Sequence, residues 1–230
     1  MINRRKMFLK RYSFLACPHF HQAWLKGETF SCGGCIMYTF VGYLAKGILA
    51  FFTRPKVVNR GVLPKEGGFV IACTHTGWVD VLVLGTAVLP RQIHYMAKKQ
   101  LFASRFGAWF LKKLNAFPVD RDAPGPSVLK IPHRLLSKGE IVGIFPSGTR
   151  VKEQAELKQG AITIATRSKV PIIPAAYSGP NTFRELFSFK GSTIIFGEPI
   201  EIPPAAREER DHYTQLLEEK LHSLQQRISS

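Results

Sequence analysis

Beyond Pro64 the sequence alternates short, dense apolar runs with longer stretches whose apolar residues recur at helical spacing. That alternation narrows the fold to an α/β sheet flanked by helices. The runs FVIACT (69–74), IHYMA (93–97), AFPV (116–119), IVGIF (141–145), PIIPAAY (171–177) and STIIFG (192–197) predict strands. Helices are expected near 79–89, 100–114, 127–138 and 159–168, with a last one over about 208–228. A chain of 230 residues, 45% of them hydrophobic, suffices for one sizeable core and is short for two. The turn Pro124-Gly125-Pro126 is too brief to separate domains, and no repeat of fixed period is present.

The N-terminal part reads differently. Residues 1–34 mix basic, aromatic and Cys/His residues without a sustained hydrophobic period, and are expected to be a poorly ordered leader. Lys10 and Arg11 interrupt its short apolar run and no clean small-residue cleavage site follows, which argues against a signal peptide. Met37 is an alternative start. Residues 35–52, CIMYTFVGYLAKGILAFF, are apolar throughout except for Lys46 and are followed by TRPK. Their length is near the lower limit for crossing a bilayer, and Lys46, Arg54 and Lys56 favour a helical segment over 35–56 that lies in the membrane interface. Packing of the same helix into the core is the competing reading. Residues 57–230 then form the main domain.

Charge indicates the class of partner. The chain carries 32 Lys and Arg against 16 Asp and Glu, a net +16. The surplus is uneven: residues 1–140 hold 21 basic and 6 acidic groups, residues 141–230 hold 11 and 10. The front of the chain therefore seeks anions, with phosphates the natural choice. The central basic residues stand singly or in pairs, without zinc-finger spacing, a ribonucleoprotein motif or a basic helix, so nucleic acid is not an expected partner. Cys17, His19 or His21, Cys32 and Cys35 could supply a tetrahedral zinc set. The bland alternative places them in an unpatterned leader, and no metal is expected.

Four blocks carry candidate chemistry. THTGWVD (74–80) follows the first strand and separates His75 from Asp80 by five positions, which on a regular helix would turn the two side chains apart by about 500°. A strand-to-helix turn at Gly77 can bring them together, at the strand end where open α/β sheets bind ligands. A carboxylate on one ring nitrogen then fixes the tautomer while the other nitrogen takes a proton from a hydroxyl. An Asp helix cap beside an incidental His is the alternative. FPSGTR (145–150) offers turn amides, hydroxyls and the bidentate fork of Arg150 to an anion. NAFPVDRD (115–122) puts Arg121 at another strand end, and MAKKQLF (96–102) carries Lys98 and Lys99 from strand to helix. An ordinary polar turn, a surface ion pair and a solvated lysine pair are the respective bland readings.

Taken together, these blocks resemble the 1-acylglycerol-3-phosphate acyltransferase family of the glycerolipid acyltransferase superfamily. His75 to Asp80 is similar to its H-x-x-x-x-D motif, AFPVDR to the second block, FPSGTR to F-P-E-G-T-R, and VPIIPAAY (170–177) to the proline-containing fourth block. The order and separation of the blocks agree across about residues 37–205. The resemblance implies a mixed sheet flanked by helices, with a membrane-associated N-terminal helix. It implies acyl transfer from acyl-CoA or acyl-carrier protein to the free hydroxyl of a lysophosphatidic acid, giving phosphatidic acid at the cytoplasmic face of the cell membrane. The enzyme would be peripheral or monotopic, with membrane phospholipid as partner and no cofactor.

By the same resemblance His75 is the base and Asp80 its orienting partner. Arg121 and Arg150 bind the acceptor's phosphate, Gly148 and Thr149 shape that pocket, and Lys98 or a nearby amide stabilises the carbonyl oxyanion. Ser147 stands where the third block usually has Glu, removing a carboxylate near the acceptor. Three alternatives follow: another lyso-lipid or glycerol-3-phosphate as acceptor, a catalytically silent lipid-binding protein, and a hydrolase. The hydrolase is disfavoured because no G-x-S-x-G elbow accompanies His75.

Overall fold

The computed structural model describes the backbone of residues 33–120, 127–146, 151–203 and 209–229, and the side chains of 38–120, 128–146, 157–203 and 209–229. In chain order its elements are α1 (Gly33–Phe52), β1 (Lys56–Val58), β2 (Phe69–Cys73), α2 (Val79–Val88), β3 (Ile93–Lys98), α3 (Arg105–Lys113), β4 (Ala116–Val119), α4 (Ser127–Ser137), β5 (Ile141–Ile144), α5 (Val151–Ser168), β6 (Ile172–Ser178), α6 (Phe183–Leu186), β7 (Thr193–Phe196) and α7 (Arg210–Ser229). The strands form one sheet in the order β1-β7-β6-β2-β5-β3-β4. The five from β6 to β4 are parallel, β7 is antiparallel to β6, and β1 is parallel to β7, so the sheet is mixed.

Helices cover both faces of this sheet, which explains why β2 and β5 are apolar and buried at every position rather than alternating with polar residues. The side-chain period of two still sorts them. Phe69, Ile71 and Cys73 of β2 join Val79, Val83 and Leu84 of α2, Leu49 of α1 and Leu111 of α3 on one face. Val70 and Ala72 join Leu136 of α4, Ala161 and Ile162 of α5, and Leu217 and Leu221 of α7 on the other. Gly143 lets β3 pack over β5 on the first face, since a Cβ there would lie 2.9 Å from Ile93 Cδ1 and 3.0 Å from Tyr95 Cδ1.

Most elements fall where the apolar runs place them, and the departures have physical causes. Strand β1, only three residues beginning with Lys56, is too short to show a period and exists through its pairing with β7. Helix α5 begins at Val151 rather than near 159, because VKEQAELK is made of helix-forming polar residues that lack an apolar stripe. The segment expected as one helix over 100–114 divides into a 3-10 turn, Lys99–Phe102, and α3. Ser104 makes the division by capping α3, its Oγ accepting from the Gly107 amide at 2.9 Å. Helix α6, at four residues, is too short to carry a helical period in the sequence.

Helix α1 has two different sides. Tyr38 and Leu49 are buried, and Gly42 permits close approach to Leu89, whose Cδ2 would sit 3.2 Å from an added Cβ. Below it the Thr53 hydroxyl donates to the Leu49 carbonyl at 2.9 Å and receives Ser192 Oγ at 3.1 Å. The opposite side exposes Phe40, Tyr43, Leu44, Ile48 and Phe51. Among the described residues no helix is long and apolar enough to cross a membrane. Because Leu49 is part of the core, Leu49→Ala is expected to lower unfolding free energy by about 2–5 kcal/mol. Urea denaturation followed by circular dichroism checks this, and a change below about 1 kcal/mol would show that α1 is not integral to the fold.

Candidate active site

The centre of the candidate site is one buried carboxylate. Asp80 is fully buried in the first turn of α2. Its Oδ2 accepts from the amides of Thr76 at 2.7 Å and Gly77 at 3.1 Å, and its Oδ1 from the amide of Val81 at 2.7 Å. His75 Nδ1 lies 3.0 Å from Oδ2 and 3.2 Å from Oδ1. Amides only donate, so the carboxylate faces His75 as an acceptor and Nδ1 carries a proton toward it, with Nε2 on the far side of the ring. Asp80 thus caps the turn and holds the imidazole at once, and the two readings of the motif are not exclusive.

The glycine of the turn serves a purpose the sequence does not reveal. Gly77 has no positive φ. What requires glycine is the loop after β6: an added Cβ would stand 1.9 Å from the Asn181 carbonyl oxygen, which also accepts from the Trp78 amide at 3.0 Å. That loop is braced in turn. The Tyr177 amide donates to Thr74 Oγ1 at 3.0 Å, the Tyr177 hydroxyl to the Pro180 carbonyl at 2.9 Å, and the Asn181 amide to Glu185 at 2.8 Å.

Aromatic rings form the neighbouring wall. Phe145, just past β5, lies 4.8 Å from the His75 ring, and Tyr95 stacks on Phe145 at 5.9 Å. The Tyr95 hydroxyl donates to the Val81 carbonyl at 2.8 Å, and burial raises its pKa well above the ordinary phenol value. An apolar recess between α1 and α2 begins here, lined by Tyr38, Gly42, Val81, Gly85, Tyr95 and Leu114. Its residues belong to four separate segments, so no local motif points to it. Cys73 sits two residues before His75, but burial, with a contribution from Asp80, pushes its thiol well above the ordinary range. The sulfur is held as a neutral thiol, a poor nucleophile.

The remaining predicted site residues divide into two groups. Lys98 ends β3 at the same sheet edge as His75 but two strands away from β2, roughly 10 Å across the sheet. Its neighbour Lys99 pairs with Asp120 at 3.6 Å. Arg121, Ser147, Gly148, Thr149 and Arg150 lie outside the described residues. So do Cys17, His19, His21 and Cys32 of the zinc alternative, and the side chain of Cys35. Among the described residues no three His, Cys, Asp or Glu are placed to share a metal.

Known proteins supply an independent comparison. Residues 54–178, more than half the chain, match the family model described as Acyltransferase. The chain belongs to the acyltransferase family. This acyltransferase is 56% identical over 164 residues to the 1-acyl-sn-glycerol-3-phosphate acyltransferase of Bacillus subtilis strain 168, covering 71% of this chain and 82% of that one. To the enzyme of the same description from Streptococcus pneumoniae it is 36% identical over 146 residues, 63% of this chain and 54% of that protein. Its fold is similar to the crystal structure of the 1-acyl-sn-glycerophosphate acyltransferase from Thermotoga maritima, with a TM-score of 0.59 at 18% identity over 81% of this chain and 79% of the other.

Gly77→Ala is expected to destabilise this acyltransferase by at least about 2 kcal/mol, because the clash is with backbone. Gly160→Ala, in α5 with nothing within 4 Å of an added Cβ, should instead stabilise it by about 0.5–1 kcal/mol. Paired denaturation curves test the contrast, and equal effects would contradict the packing of Asn181 on the turn.

Proposed function

We propose that this acyltransferase moves an acyl group from acyl-CoA or acyl-carrier protein to the free hydroxyl of 1-acylglycerol-3-phosphate, yielding phosphatidic acid in phospholipid biosynthesis. The observation that carries the reading is the His75–Asp80 contact at a strand end, within a chain so similar to acyltransferases of that description. His75 is half-exposed while Asp80 is sealed, so the ring can meet substrate with its orienting carboxylate kept from water.

In this mechanism Nε2 of His75 takes the proton of the acceptor hydroxyl as its oxygen attacks the thioester carbonyl. Asp80 holds the ring and stabilises the imidazolium that forms. The tetrahedral oxyanion collapses, the carbon–sulfur bond breaks, and the thiolate recovers a proton from His75. No acyl-enzyme is needed, in keeping with the neutral Cys73. Lys98 or a nearby amide is the proposed oxyanion donor, an interaction commonly worth about 3–4 kcal/mol. Arg121 and Arg150 are proposed to grip the acceptor's phosphate, with Gly148 and Thr149 shaping the pocket and Ser147 hydrogen-bonding the glycerol. The apolar recess beside Val81 and Tyr95 suits an acyl chain, since its lining is almost wholly hydrocarbon and aromatic.

The exposed side of α1 supports peripheral or monotopic attachment to the cytoplasmic leaflet. Phe51, Phe52, Phe187 and Phe189 cluster at its C-terminal end with ring centroids 5.0–6.0 Å apart, and three of the four are exposed. A two-tailed product then never has to leave the membrane.

His75→Ala is expected to lower kcat by about 10²–10⁴-fold with the fold intact, whereas Asp80→Asn should lower both kcat and stability, because its amide nitrogen would face backbone N–H groups that now donate to the carboxylate. Arg150→Ala should chiefly raise the acceptor KM. The deciding measurement is lipid mass spectrometry of the product formed from 1-acylglycerol-3-phosphate and a defined acyl thioester, beside a panel of other lyso-lipids and glycerol-3-phosphate. Near-normal turnover by His75→Ala would end the mechanism, and preference for another acceptor would end the substrate assignment.

A further inference from the structure

Helix α3 is amphipathic the wrong way round for a helix in water. Leu111 is its buried residue, with Gly107 and Ala108 half-buried beside it. Its outer side carries Phe106 at 76% exposure, Trp109 at 55% and Phe110 at 40%, and Leu101 of the preceding 3-10 turn adds to the same region. Positions 106, 109, 110 and 113 fall within about 100° of one another around the axis, so the three rings form one stripe with Lys113 among them. Arg105 and Lys112 are exposed along its edge. Residues 98–115 contain five Lys or Arg and no Asp or Glu.

We propose that the outer face of α3 is a second membrane-docking surface, whose aromatic rings enter the headgroup region of an anionic bilayer while Arg105, Lys112 and Lys113 meet lipid phosphates. Trp and Phe flanked by long cationic side chains suit that interface, where the stems lie along apolar surface and the charges reach outward. The position of α3 agrees. Leu49 of α1 and Leu111 of α3 enter the same core cluster, so the two helices cover one face of the sheet and turn their outer sides away from it together. The other face differs: among the described residues, none of the exposed large hydrophobic side chains belongs to α4, α5 or α7.

Two other occupants fit less well. The leader, residues 1–32, holds six Lys or Arg and one Glu, so it shares the charge of α3 and is repelled by it. An acidic carrier protein would match the charge. However, Phe106 and Trp109 stand side by side on a convex helix, with centroids 6.1 Å apart, and a protein would need a matching groove where a bilayer deforms. The inference rests on the membrane reading of α1 given above, and the test separates the two.

The full-length chain is mixed with phosphatidylglycerol vesicles whose acyl chains carry bromine at known depth, and tryptophan emission is compared for the wild type and Trp109→Phe. Bromine should quench the wild type, and the quenchable part should fall by at least half in Trp109→Phe. In sedimentation with anionic vesicles, F106E/W109E should bind about tenfold more weakly or worse, while F106L/W109L binds within about twofold of the wild type. Vesicle binding by the wild type without quenching from Trp109 overturns the α3 surface and leaves α1 standing. Absence of vesicle binding overturns both. Unchanged vesicle binding by F106E/W109E, with a rise in KM confined to acyl-carrier-protein donors, assigns the face to a protein and overturns the proposal.

Discussion

The buried carboxylate of Asp80 governs the site, because an ionisable group without solvent is tolerated only when its oxygens are hydrogen-bonded. Three amides and one imidazole surround it, and each contact fixes something else. The Thr76 and Gly77 amides set the shape of the turn, the Val81 amide sets the start of α2, and the His75 ring takes its orientation from what remains. The turn is held from outside as well, by Asn181 against Gly77 and by Thr74 receiving the Tyr177 amide. The His75 ring is held before any ligand arrives, so in the proposed mechanism it pays little to reach its working orientation.

Sheet topology explains why the pair faces a usable cleft. Strands β2 and β5 are parallel neighbours, yet the helices that follow them lie on opposite faces: α2 with the cluster around Phe69 and Ile71, α5 with the cluster around Val70 and Ala72. Where adjacent strands send their connections to opposite sides, a crevice opens at their C-terminal ends. His75 leaves β2 at that point, and Phe145 begins the segment that leaves β5. The proposed base and Phe145, the first residue of FPSGTR, therefore meet at one crevice, although seventy positions separate them in sequence.

What the sequence reveals depends on whether the cause is local. The inner strands were legible because a parallel strand covered on both faces must be apolar throughout, as FVIAC and IVGI are. Strand β1 and α6 were not, because three or four residues cannot show a period, and the first half of α5 was hidden by its polar composition. At the site, the pairing of His75 with Asp80 could be inferred from one strand-to-helix turn. The reason for Gly77 could not, since it lies with Asn181 about a hundred positions later. The recess lined by Tyr38, Val81, Tyr95 and Leu114 is equally illegible, being assembled from α1, α2, β3 and the end of α3. Helix α1 shows the limit of composition most clearly: the same apolar run supports core packing and membrane contact, and only three dimensions assign Leu49 to one side and Phe40 and Phe51 to the other.

The two-sided character of the molecule joins the chemistry to its surroundings. A transfer between a water-soluble thioester and a lipid acceptor needs the crevice open to both phases at once. The helices on one face of the sheet carry exposed rings and most of the cationic surplus lies in the first 140 residues, whereas among the described residues no exposed large hydrophobic side chain belongs to α4, α5 or α7. A protein attached through α1 alone could roll about that helix axis, sweeping the crevice through a range of heights above the lipid. A second contact through α3, packed against α1 and following β3 at the same sheet edge as His75, removes that rotation. Two helical contacts define a plane where one defines a line, and a plane is what fixes the height of a base above the hydroxyl it must reach.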